Sequence, residues 1–143
     1  MEVSVAGLFR RLFGRAAPAA LDPDRSDLVV VVASFDDAEA CSAALGRATG
    51  WVPEAPAVLR HHLRIPADQV GRVREIAAQD GYRPGVTEPT GDDDLEALVL
   101  QRVQVLDALH CAQEKSRMAG LAQRHDGSAD GWDALQPSAE PGE

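Results

Sequence analysis

Four consecutive valines follow Leu28 and lead into Ala33, and no other stretch restricts the possible folds of this chain as strongly. β-Branched side chains crowd a helix and fit a pleated strand. A run that is apolar at every position, not every second one, predicts a strand covered on both faces. In a chain of 143 residues that calls for layered strands and helices, not a helical bundle. The next segment agrees: Asp36 and Glu39 supply an N-cap pair for a helix over 37–49, with Gly50 beyond its end.

The same alternation repeats. Ala57 to Ile65 predicts a second strand, ended by Pro66. Val70, Val73, Ile76 and Ala77 then recur at helical spacing and predict a helix over 67–80 that stops at Gly81. Tyr82 to Val86 reads as a short strand. Thr87 to Asp94 reads as a polar turn in which Asp92, Asp93 and Asp94 form a solvated loop. Leu95 to Leu106 is ambiguous: Val99, Val103 and Leu106 fit a helix, Val99, Val103 and Val105 fit one face of a strand, and a single helix from Asp93 to Arg124 satisfies periodicity almost as well. From Ala108 the stripe of Cys111, Ala112, Met118, Leu121 and Ala122, interrupted by Lys115, predicts a helix over 108–125 ended by Gly127. Ser128 to Leu135 is the last predicted strand.

Charge divides the chain. Residues 1–20 carry three arginines and one glutamate, whereas the whole chain has 14 Lys+Arg against 23 Asp+Glu, a formal net charge of -9. In residues 1–15, Val5, Leu8, Phe9, Leu12 and Phe13 fall on one helical face, with Arg10, Arg11 and Arg15 on its flanks and opposite side. This is an amphipathic arm suited to an anionic membrane surface or a partner's groove. Residues 16–27 have no period and two prolines and read as a linker, 28–135 as the folded domain, and 136–143 as a disordered tail. No apolar run approaches the roughly 20 residues of a membrane-spanning helix. Two cysteines, Cys41 and Cys111, without a secretory signal point to buried free thiols in a reducing cytoplasm. An acidic chain with one lysine is poorly equipped to hold nucleic acid phosphates, so no direct nucleic acid binding is expected.

Candidate chemistry is sparse. His61 and His62 are adjacent on a strand and point to opposite faces, so they cannot chelate one ion together. His110 and Cys111 are likewise splayed on a helix. No catalytic, cofactor-binding or metal-ligating residues are therefore assigned. Nor does a nucleophile stand beside a base at a motif spacing, and Lys115 follows no glycine-rich loop. Asp130, Gly131 and Trp132 have a packing logic: a strand-edge glycine allows close backbone approach, and a large indole covers one end of a core that is short of aromatics. Trp132 reads first as core and second as the best single candidate for a binding hot spot.

His61-His62-Leu63 at a strand end, a helix closing on Gly81-Tyr82, and Leu121-Ala122-Gln123-Arg124-His125-Asp126-Gly127 followed by Asp130-Gly131-Trp132 resemble the regulator of ribonuclease activity B family. The resemblance covers Val58 to Leu135. It implies a ferredoxin-like α/β (α+β) sandwich of order β-α-β-β-α-β, and hence a strand at 98–106, with Leu28 to Gly50 as an added N-terminal strand and helix. It further implies an acidic protein inhibitor of ribonuclease E, acting by protein contact on a nuclease with arginine-rich, RNA-binding segments outside its catalytic core. No cofactor is implied, and the oligomeric state is left open. The arm of residues 1–15 is not part of the family domain. The alternative function is that of a membrane-associated adaptor anchored by this arm, cytoplasmic but membrane-peripheral.

Overall fold

The computed structural model describes residues 21–85, 91 and 94–138. The expectations for the arm, for linker residues 16–20, for most of the turn before Leu95 and for residues 139–143 lie outside these residues. Among the described residues, five strands and three α-helices follow in the order β1 (Leu28–Ser34), α1 (Cys41–Arg47), β2 (Pro56–Pro66), a 3-10 turn (Ala67–Gln69), α2 (Val70–Ala78), β3 (Arg83–Pro84), β4 (Leu95–Val105), α3 (Ala108–Arg124) and β5 (Ser128–Pro137). The strands form one sheet in the order β1-β5-β2-β4-β3, with every neighbouring pair antiparallel. Without β1 and α1, this is the strand order of a ferredoxin-like α+β sandwich, and β1 extends it at the edge beside β5.

Alternation along β2 divides the molecule into a packed and an open face. Ala57, Leu59, Leu63 and Ile65 point to the side on which all three helices pack. There the core forms two clusters. One joins Val31, Val32, Ala57, Leu59, Leu106, Trp132 and Ala134 to Cys41, Ala44 and Leu45 of α1 and Cys111 of α3. The other joins Leu63, Ile65, Tyr82, Leu98 and Leu100 to Val73 and Ala77 of α2 and Met118, Leu121 and Ala122 of α3. His61 stands on β2 between the two.

β4 is a strand, not the start of a long helix. Its full length pairs with β2, from Leu95 opposite Pro66 to Val105 opposite Pro56. Asp107 then makes the break. It is extended, and its carboxylate accepts from the His110 amide at 2.7 Å, a helix N-cap that starts α3 one residue later. At the other end of α3, Gly127 passes so close to the Arg64 carbonyl that a β-carbon there would overlap it.

Four expectations are corrected. The valine run does not form a strand covered on both faces: β1 is an edge strand, and a bulge between Val30 and Val32 puts Val31 and Val32 into the core while Val29 and Val30 stay 44% and 51% exposed. Helix α1 begins at Cys41, because Asp36 closes a turn instead, accepting from the Ala38 amide at 2.9 Å through its side chain and from the Glu39 amide at 3.0 Å through its carbonyl. Glu39 is taken by Ser34 Oγ and Arg47, both at 2.7 Å. The expected linker touches the domain at three points: Leu21 is buried, Pro23 lines a groove with Val58 and Gln101, and the Asp27 carbonyl accepts from the Ser138 amide at 2.8 Å. Finally, β5 continues through Gln136 and Pro137, residues that the sequence pattern places in the tail. The buried Gln136 amide accepts from the Val52 amide at 2.9 Å and donates to the carbonyls of Val52 and Ala55, fixing the loop after α1.

Candidate interaction surface

The residues singled out in the sequence meet across one strand pair. In the β2–β5 register His61 lies opposite Trp132 and His62 opposite Gly131, although about 70 positions separate them. Alternation sends the two histidines to different faces. His61, Gly131 and Trp132 line a small cavity of about 30 Å³ shared with Lys115 and Met118 of α3. His62 and Asp130 lie on the open side of the sheet.

Inside, His61 belongs to a buried polar network. The Tyr82 hydroxyl donates to Glu114 Oε1 at 2.8 Å and lies 3.4 Å from His61 Nε2. Arg117 donates to Glu114 Oε1 at 3.2 Å, and the Arg102 guanidinium stacks over the Tyr82 ring at 4.5 Å. Burial holds His61 down at about 4, partly offset by the Glu114 charge, so the imidazole is neutral near pH 7. Burial alone would raise Glu114, but the Tyr82 hydroxyl and the charges of Arg102 and Arg117 outweigh it and keep the carboxylate ionised. Glu114 was missed in the sequence. Its signal was its spacing, three residues after Cys111 and four before Met118, on the core stripe of α3.

On the open face, Asp133 is the organising group. Arg60 donates to both its carboxylate oxygens, at 2.7 and 2.6 Å, and His62 Nε2 lies 3.3 Å from one of them. Burial alone would raise the Asp133 carboxyl; the contacts from His62 and Arg60 outweigh it and lower it. Beside this cluster Arg64 binds Asp130 at 2.8 Å. The ring of Phe35 lies 5.1 Å from that of His62, on the space left by Gly131, and is 54% exposed. A groove of about 500 Å³ runs from Asp24 and Arg83 over Val58 and Gln101 to Leu135. Trp132 itself is on the packed side, 1% exposed, where it fills the first core cluster and presents nothing to a partner.

On the open face Arg60 and His62 thus pair with Asp133, and Arg64 with Asp130. Among the described residues no group of three or more His, Cys, Asp or Glu side chains is placed to hold a metal ion. No helix there is long and apolar enough to cross a membrane. Cys41 and Cys111 are free and buried, and burial pushes the Cys111 thiol up, away from reactivity.

Fold and surface together define a ferredoxin-like α+β protein with an extra edge strand and an open sheet face carrying paired charges. The family model of regulator of ribonuclease activity B matches residues 44–134, more than half of the chain, and the chain belongs to that family of ribonuclease regulators. The match takes in the buried network, the α3-to-β5 corner and most of the sheet, and leaves out β1. No curated protein and no solved structure matches the chain.

Proposed function

We propose that the protein is a non-enzymatic, cytoplasmic inhibitor of ribonuclease E that modulates RNA decay by binding the nuclease. The family match over residues 44–134 carries this reading. The formal net charge of -9 supports the mode of action: an acidic protein is steered towards the arginine-rich segments that the family resemblance implies in the nuclease, and it competes there with RNA. The test is cleavage of a defined RNA by the cognate full-length ribonuclease E with and without added protein. Slower cleavage in its presence, and none by the protein alone, is the expected result; an unchanged rate at saturating protein would overturn the reading.

A second reading, a membrane-associated adaptor, is supported by the sequence pattern of the arm, whose apolar face of Leu8, Phe9, Leu12 and Phe13 is flanked by Arg10, Arg11 and Arg15. The two readings are compatible, since the arm precedes the matched region.

A further inference from the structure

We infer that an apolar row across the open sheet face is the seat of the chain's own N-terminal arm, whose Val5, Leu8, Phe9, Leu12 and Phe13 cover it. The inference stands apart from the ribonuclease reading, and a failure of either leaves the other in place.

Strand register builds the seat. Val30 lies opposite Leu135, Leu135 opposite Val58, and Val58 opposite Val103. Residues directly opposite in a sheet share a face, so these four side chains, one each from β1, β5, β2 and β4, form a single row on the side where Asp133 lies. Val58 is its buried floor, Val30 is 51% exposed, and Leu135 and Val103 are partly exposed. The row carries no charge. Of the charged groups that line the groove above it, Arg60 is held by Asp133, and Arg83 faces Asp24 at 3.8 Å.

The path of the chain selects the occupant. Leu21 is buried, and Pro23, two residues on, lines the groove with Val58 and Gln101, so residues 1–20 join the domain at this face. The seven residues from Gly14 to Ala20 reach up to about 24 Å when extended, enough to carry the arm across the row. A segment tethered so closely acts at an effective concentration on the order of millimolar, above that of a segment arriving from solution. Size agrees with this. The row spans three strand spacings of about 4.8 Å each, and a helix of the nine residues from Val5 to Phe13 is about 13 Å long. A groove of about 500 Å³ takes one face of such a helix and not its whole cylinder. Arg10, Arg11 and Arg15 then stay outside, where the Asp24 side chain, 82% exposed on the groove wall, offers a counter-charge. A helix this short is marginal in water and gains from burying its apolar face. A membrane surface or partner that takes the same apolar face must first displace the arm, so its apparent affinity falls with the fraction docked.

The experiment observes valine and leucine methyl groups of the full chain by NMR, with a spin label on Ser4→Cys, a position outside the arm's apolar set. Cys41 and Cys111 are buried and stay unlabelled. The label should weaken the signals of Val30, Val103 and Leu135 more than those of Val73 and Leu121 on the helical side, and dilution should not change the difference. Leu8→Asp with Phe13→Asp should abolish it. Leu28→Arg with Val30→Arg, at the exposed end of the seat, should abolish it for Val103 and Leu135 with the rest of the spectrum retained. If the arginine pair disturbs the sheet, the aspartate pair, which lies outside the domain, decides. Equal weakening on both sides of the sheet, or a difference that survives the aspartate pair, would overturn the assignment. Weakening that passes from a labelled chain to a separate, isotopically enriched one and fades on dilution would overturn it in favour of a second copy.

Discussion

Phe35 occupies the space that a side chain at Gly131 would need. A β-carbon built on Gly131 overlaps the Phe35 ring and comes within 2.6 Å of the Ser34 carbonyl oxygen. The glycine of the Asp130-Gly131-Trp132 motif therefore seats the first residue after the added strand on the family domain.

Gly131→Ala should destabilise the protein by about 1–3 kcal/mol, the usual cost of forcing extra volume into a filled site. Phe35→Ala combined with Gly131→Ala should recover part of that loss, because the ring is removed while the Ser34 carbonyl remains in place. Urea denaturation of the two single variants and the double variant measures the coupling. Strict additivity would show that the ring and the glycine are independent.

The buried histidine makes stability depend on pH. His61 is held at about 4 against an ordinary 6.5, chiefly by burial. Between those values the unfolded chain takes up a proton that the folded chain refuses. The stabilisation is therefore complete above about pH 6.5 and is lost as pH falls towards 4, by an amount on the order of 3 kcal/mol. Glu39, lowered to about 2 by Arg47 and Ser34, loses its contribution only as pH falls below its ordinary 4.5, so the two effects separate. The stability of the wild type should fall between pH 7 and pH 5, and His61→Leu should flatten that interval. Equal slopes in the two proteins would assign the dependence to other groups.

The arm is tested separately. Leu8→Asp with Phe13→Asp puts charges on its apolar face and should abolish co-sedimentation with anionic vesicles, because insertion depends on burying that face. The melting temperature of the domain should hardly move. If the double variant unfolds the domain, the arm is part of the core and the anchor reading fails.

Much of this fold was legible because periodicity reports which side chains share a face. Helix α3 was placed to within a residue, since its apolar stripe is long and Gly127 marks its end. β4 was not legible in this way. Val99 and Val103 serve either period, completed by Leu106 as a helix or by Val105 as a strand, and only the family resemblance turns the segment into a strand; the Asp107 cap supplies the physical reason. The valine run misled because composition counts apolar residues and not neighbours, and cannot tell a central strand from an edge strand with a bulge. Glu114 and Gln136 were hidden for a related reason: polar side chains read as solvated until their partners are seen, here the Tyr82 hydroxyl and the backbone of Val52. Of the open face, the sequence motif includes His62, Asp130 and Gly131, while His61 and Trp132 of the same motif lie buried on the packed side. Phe35, Arg60 and Asp133 fall outside the motif, because only the strand register brings them beside His62.

Inhibition of ribonuclease E by contact with its arginine-rich segments is tested most directly by comparing two nucleases, one full length and one truncated to remove those segments, at low and physiological salt. Inhibition should appear with the full-length enzyme, weaken as salt rises because charge steering is screened over a Debye length of ~8 Å, and be absent with the truncated enzyme. Tight RNA binding by the isolated protein, or equal inhibition of both nucleases at either salt, would contradict this account.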